Sequence, residues 1–188
     1  LRTPLTLVIT PLQSLIRQVN DATVKPKLEA ISAQALHVLT LVNQLLDFRK
    51  LDSGGEQLTL SKGTMRDYLA SVVARFELAA AEKAITLRYE SVDDPFTVVA
   101  DFDKVGKMVF NLLSNALKFT PSGGTVTVGV SMEQSSEGCY IHIEVADTGR
   151  GILASERETI FERFHQVTGD DATIGTGIGL HLVKTYAI

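Results

Sequence analysis

The chain has no tryptophan, one cysteine, five prolines and only 6% aromatic residues in 188. A lone cysteine excludes an internal disulfide, and the place of Cys139 in the apolar run Cys139-Tyr-Ile-His-Ile-Glu-Val145 predicts a small buried core residue. No stretch of about 18 apolar residues occurs, and no signal peptide opens the chain. The formal net charge of −4 provides no basic face for nucleic acid, so any phosphate must be held locally. His, Cys and carboxylate side chains do not cluster at ligand spacings, which leaves a structural zinc site without support. A Walker-type Gly-Lys-Ser/Thr is also missing. What is present, 45% hydrophobic and 21% charged residues, suits one or two folded domains. Leu1 is not Met and falls inside a helical pattern, as expected of a piece of a longer protein.

Residues 1–53 carry a helical period. Leu1, Leu5, Val8, Leu12, Leu15 and Val19 step by threes and fours, turn formers interrupt over 20–26, and Leu28, Ile31, Ala35, Val38, Val42 and Leu45 resume. Leu36, Leu39 and Leu46 widen the second stripe. Two such helices predict an antiparallel hairpin whose apolar faces exceed what one hairpin can bury, so dimerisation into a four-helix bundle is the economical outcome. Packing of both helices on the rest of the chain is the alternative. Gly54 and Gly55 suit a left-handed helix end and mark the boundary to a second domain over 54–188. There the periods mix: a strand at 58–60, a helix over 65–83, a strand over 85–89 and a helix over 102–119. Strands over 125–130 and 140–145 alternate with period two around an acidic loop at 133–138, as in a hairpin. The expected fold class is α+β: a helical hairpin, then an α/β sandwich whose mixed sheet is covered by helices on one face.

Three ordered segments carry the chemistry. In Asn111-Leu-Leu-Ser-Asn115-Ala-Leu-Lys118-Phe119-Thr120 the two carboxamides and the ammonium share a helix face opposite Leu112, Leu113, Ala116 and Leu117. Neutral amide oxygens suit a hydrated Mg²⁺, and lysine meets phosphate as a point charge. In Asp147-Thr-Gly149-Arg-Gly151-Ile152 a carboxylate follows a strand and glycines let a flat ligand approach. A buried carboxylate there would accept from the exocyclic amine of adenine, although the stretch alone reads more readily as a plain turn. Gly175-Thr176-Gly177-Ile-Gly179-Leu180 precedes a helix, so its amides can cradle phosphate. Phe161-Glu-Arg-Phe164 and the polar run 166–174 suit a lid with an aromatic hinge. His37, His142, His165 and His181 read as structural.

Together these segments resemble the core of a bacterial sensor histidine kinase over nearly the whole chain. Residues 111–120 resemble the asparagine box, 147–152 and 175–180 the two glycine boxes, and 161–164 the phenylalanine box. The resemblance implies the ATP-binding sandwich shared with type II topoisomerases and a class of chaperones. It implies ATP and Mg²⁺ as cofactors, with Asn115 as Mg²⁺ ligand, Asn111 and Lys118 near phosphate, Asp147 on the adenine amine and Phe119 near the base. Gly149, Gly151, Ile152, Phe164, Gly175, Thr176, Gly177, Gly179 and Leu180 would line the nucleotide, and 152–174 would form its lid. Relatives that hydrolyse ATP typically carry glutamate where Asn111 stands, and a carboxamide cannot act as a general base, which favours transfer to a protein.

Residues 1–5 resemble the tail of the phospho-acceptor box, whose His-Glu start would immediately precede Leu1. The fragment is therefore expected not to autophosphorylate, and Thr3 falls where the family helps to dephosphorylate a response regulator, though it reads equally as a helix-face threonine before Pro4. Gln166 replaces an arginine found in some members, and the family's closing strands would follow Ile188. The implied partners are a second copy through the hairpin and a response regulator receiver. The implied setting is the cytoplasmic part of a membrane-anchored sensor, of the simple or the hybrid kind. The rival readings are a conformational ATPase of the topoisomerase or chaperone type and a non-catalytic dimerising module with a vestigial nucleotide site.

Overall fold

Two helices, α1 (Arg2–Gln18) and α2 (Lys25–Asp52), make up the first of two units, Leu1–Glu56 and Gln57–Ile188, in the computed structural model of the chain. The structure describes residues 2–52, 57–91, 97–136, 138–165 and 177–187, so the expected boundary at 53/54 lies outside the described residues. Pro4 occupies the first turn of α1, where its missing amide would have had no partner. Pro11 lies inside the helix and leaves the Leu7 carbonyl without its usual donor. Between the helices, the Asp21 carboxylate accepts from the Thr23 amide and hydroxyl at 2.7 Å each and from the Val24 amide at 3.1 Å. The Thr23 hydroxyl, then the two amides, hold that carboxyl below its ordinary range.

The apolar stripe of each helix divides. Ile9 is buried, and Leu5, Leu12, Ile16 and Val19 are half-buried. Val8 and Leu15 on α1, and Ile31, Val38 and Leu45 on α2, are exposed and recur at intervals of seven. One unit therefore leaves part of the hydrophobic stripe of each helix uncovered.

The second unit contains β1 (Ser61–Thr64), α3 (Met65–Ala74), α4 (Glu77–Glu82), β2 (Thr86–Ser91), β3 (Thr97–Ala100), α5 (Phe102–Phe119), β4 (Thr125–Ser135), β5 (Gly138–Asp147), a 3-10 turn at Thr159–Phe161 and α6 (Gly179–Tyr186). The main sheet has the order β2-β4-β5. β2 runs parallel to β4, with Thr86 opposite Thr125, so a crossover through α5 must connect them. β4 and β5 are antiparallel, with Val126 opposite Asp147. β1 and β3 form a separate antiparallel pair. Period two sends Val126, Val128 and Val130 into the core with Leu69, Leu113 and Met65, while Arg88, Glu90, His142 and Glu144 point the other way and are exposed. Burying each such aliphatic side chain stabilises the fold by about 1.5–3 kcal/mol. Helices thus cover one face of a mixed sheet.

Several local expectations fail for identifiable reasons. Residues 57–60 form no strand, Leu58 and Leu60 are exposed, and the strand begins at Ser61. The helix expected over 65–83 breaks after Ala74, where Phe76 turns inward against Phe110 with ring centroids 5.0 Å apart. β3 has no counterpart in the sequence reading. Cys139 is exposed rather than buried. It pairs with Gln134 at the far end of the hairpin, where Met132 and Tyr140 are exposed too and the strands outrun the helices that cover them.

Candidate functional site

α5 begins on Asp101, whose side chain accepts from the Lys104 amide, and it anchors through buried Val109, Leu113, Ala116 and Leu117. This leaves Asn115, Lys118 and Phe119 half-buried along its last turns. β5 delivers Asp147 to the same end of the unit. The Asp147 carboxylate accepts from the Gly149 amide at 2.8 Å. Thr148 is tied to Thr125 in both directions, by its amide on the Thr125 carbonyl at 3.0 Å and by the Thr125 amide on its hydroxyl at 2.9 Å. A Cβ at Gly149 would stand 2.7 Å from the Phe119 carbonyl oxygen and 2.6 Å from the Asp147 carboxylate, so the loop closes directly onto the end of α5. Gly151 follows with φ +70, which favours glycine, and Ile152 is exposed.

Cations gather at this junction. The Arg150 guanidinium carbon lies 4.8 Å from the Phe119 ring centroid and the Lys118 ammonium 4.9 Å. Lys83 donates to the Leu117 carbonyl at 3.0 Å. Burial, then the charges of Arg150 and Lys83, push the Lys118 pKa down. An anion bound there would relieve both the crowding of like charge and part of the lost hydration.

The other boxes meet elsewhere on α5 and α6. Asn111 is buried, donates to the Lys107 carbonyl at 2.9 Å and holds its amide oxygen 2.9 Å from where a Gly179 Cβ would be. It therefore packs under the start of α6 instead of lining an open face. Leu180 is half-buried on the same helix. Gly177 has φ +65, and a Cβ there would collide with the Phe164 and His165 backbone. The Phe164 amide donates to the Gly177 carbonyl at 3.1 Å, and Phe164 itself is left-handed at φ 60 with an exposed ring. His165 and His181 contact the Thr159 hydroxyl and the Phe161 carbonyl at 3.3 and 3.1 Å, which fits structural roles.

The structure thus brings Lys118 and Phe119 together with Asp147, Gly149 and Arg150, while Asn115 lies one turn earlier on α5 and Gly151 and Ile152 follow in the loop. It places Asn111 with Gly179, and Gly177 with Phe164. Asp147 is exposed rather than buried, although Val126 opposite it on β4 is buried, because it is the last residue of β5, where the chain turns out of the sheet. Gly175, Thr176 and lid residues 166–174 lie outside the described residues, and Thr3 is in α1 with its side chain outside them. Arg150, Lys83, Thr148 and buried Thr120 were missed. Arg150 was visible between two glycines, whereas nothing in the sequence connects Lys83 to α5.

The donors suit a nucleotide: the Asn115 carboxamide on the same stretch of α5, two cations near one ring, an exposed carboxylate and a glycine turn pressed close to the helix. Among the described residues no group of three His, Cys, Asp or Glu could hold a metal alone. A divalent ion would therefore enter with phosphates, as Mg²⁺ commonly does. A shallow depression lies away from this site on the open sheet face. It is a notch at Gly129, between Glu90 and Glu144 in register, and holds no residue of α5 or of the Asp147 loop. No helix among the described residues is long and apolar enough to cross a membrane.

Residues 1–54 match the His Kinase A (phospho-acceptor) domain, and residues 100–188 match the family of histidine kinase-, DNA gyrase B- and HSP90-like ATPases. The chain is 37% identical over 190 residues to the hybrid signal transduction histidine kinase D of Dictyostelium discoideum, covering 99% of this chain and 12% of that protein. It is 36% identical to the sensor histidine kinase TmoS of Ectopseudomonas mendocina, covering 99% and 19%. The crystal structure of full-length ShkA in complex with AMPPNP superposes with a TM-score of 0.77 at 30% identity, covering 99% of this chain and 38% of that one. The chain spans less than a fifth of the length of these two curated relatives.

Proposed function

Because the chain belongs to the sensor histidine kinases, we propose that it binds Mg-ATP and passes the γ-phosphoryl group to a histidine just upstream of Leu1, and thence to an aspartate of a response regulator. The observation that carries this reading is the closure of the Asp147 loop on the end of α5, where the Arg150 and Lys118 cations lie against the Phe119 ring. Asp147 would accept from the adenine amine while the Gly149 amide fixes its other contact. Phe119 would pack near the base. Lys118 would meet phosphate, and Asn115 would hold the magnesium ion, which neutralises charge on the phosphates when bound. Gly177, Gly179 and Leu180, with Gly175 and Thr176, would carry the lid side of the nucleotide, and residues 152–174 would exclude water. Asn111 supplies no general base, which supports transfer over hydrolysis.

The exposed heptad residues of α1 and α2 support a homodimeric four-helix bundle on which the receiver docks, with Thr3 assisting dephosphorylation. The parent would be a membrane-anchored sensor with this part in the cytoplasm.

Calorimetry with Mg-ADP tests the site. The wild type is expected to bind, and Asp147→Asn to bind at least about tenfold more weakly, a loss of about 1.4 kcal/mol. No binding to either protein, or equal binding to both, contradicts the reading. For the reaction, a chain extended upstream by His-Glu is expected to gain acid-labile phosphate from ATP, and the 188-residue chain to gain none. Steady hydrolysis by the extended chain without phosphoprotein would instead support the conformational ATPase.

A further inference from the structure

The Phe119 ring carries two cations, and the reading above gives a task to only one of them. Arg150 reaches the ring from the Asp147 loop and Lys118 from α5, at 4.8 and 4.9 Å from its centroid. The backbone that launches Arg150 is fixed on both sides. Gly149 is pinned by the Asp147 carboxylate and pressed on the Phe119 carbonyl, and Gly151 follows in a left-handed conformation. An aromatic face attracts a guanidinium and leaves its N–H edges free to donate. Among the described residues Arg150 has no carboxylate in ion-pair contact. Arg150 and Lys118 thus bring two like charges to one ring, and a multiply charged anion would complete that arrangement.

Resting on the nucleotide reading, we propose that Arg150 is a second phosphate-binding cation of the site, gripping the polyphosphate of the nucleotide together with Lys118 while Phe119 positions it. The guanidinium supplies a planar fork matched to phosphate oxygens and the ammonium a movable point charge. Its place, three residues from Asp147, lets one loop read both the base and the phosphates.

The test compares Mg-ADP and adenosine on the full chain by NMR shift titration, which reads weak binding, in wild type, Arg150→Gln, Arg150→Lys and Asp147→Asn. Arg150 is exposed, and an unchanged thermal midpoint would confirm that its variants fold. Arg150→Gln is expected to weaken ADP about tenfold, the scale of a charged hydrogen bond, and to leave adenosine within about twofold. Arg150→Lys should recover part of the ADP affinity, and the salt dependence of ADP binding should be shallower in Arg150→Gln than in wild type. If Arg150→Gln leaves ADP unchanged while Asp147→Asn weakens it, the site stands and the role of Arg150 is overturned. Equal weakening of ADP and adenosine also overturns it, since the guanidinium would then serve the base. Failure of wild type to bind ADP overturns the nucleotide reading itself, and this inference with it.

Discussion

Asp101 joins two segments with one carboxylate. One oxygen accepts from the Lys104 amide at 3.1 Å, starting α5, and the other from the Thr59 amide at 2.9 Å, holding the irregular segment before β1. Burial pushes its pKa up, but the amide bonds from Thr59 and Lys104 and the Lys104 charge outweigh this and hold the carboxyl below its ordinary range. A folded-state pKa below the unfolded value of about 3.9 means that this stability is complete above that pH and is lost as pH falls through the folded value. Asp101→Asn is expected to cost about 1 kcal/mol at pH 7, and the gap to wild type should narrow below about pH 4. Urea melts at both pH values check this, and a gap equally wide in acid contradicts it. At the end of α4, Ala84 takes a left-handed φ of 54, while the Ile85 amide returns to the Ala80 carbonyl and the Ala84 amide to that of Ala81. That helix stop lacks the usual glycine, yet the helix expected over 65–83 ends at Lys83, the residue that caps α4; only its break after Ala74 was not legible.

Among the elements, α5 was legible to the residue because cap, period and stop coincide between Asp101 and Thr120. Its internal Gly106 would read as a defect worth about 1 kcal/mol against alanine in an ordinary helix. Here the Tyr68 hydroxyl, which donates to the Phe102 carbonyl, occupies the space a Cβ would need. Gly106→Ala is therefore expected to lower stability by about 1–3 kcal/mol, and a thermal midpoint that rises would contradict that packing. β1 and β3 were not legible, since four-residue strands are defined by each other rather than by alternation. The helical hairpin was legible as two stripes but not as their division. Only the fold shows that Leu5 and Leu12 are half-buried while Val8, Leu15, Ile31, Val38 and Leu45 remain open. For the proposed dimer, Val38→Glu should raise the dissociation constant at least about tenfold by placing a charge in the seam. Sedimentation that finds the same association state in both proteins would count against that seam.

For the whole molecule, the chemistry-bearing residues could be named from the sequence, but their meeting could not. Phe119 and Gly149 are thirty positions apart, and they touch only because β5 returns antiparallel to β4 and ends where α5 ends. The same topology explains the misjudged exposures. Cys139 lies near the turn of the β4–β5 hairpin and Asp147 where the chain leaves the sheet, so both are exposed although each lies in or directly after an apolar alternating run. For Cys139 this overturns an expected core residue. For Asp147 it opens the carboxylate to a ligand. The central claim is that the end of α5 and the Asp147 loop form one nucleotide site. Amide NMR spectra recorded with Mn²⁺-ADP, whose paramagnetism broadens nearby signals, test it most directly. The account predicts joint broadening of residues 115–119 and 147–151 that excess Mg-ADP reverses. Broadening confined to one segment, or centred on the Gly129 notch of the open sheet face, would contradict it.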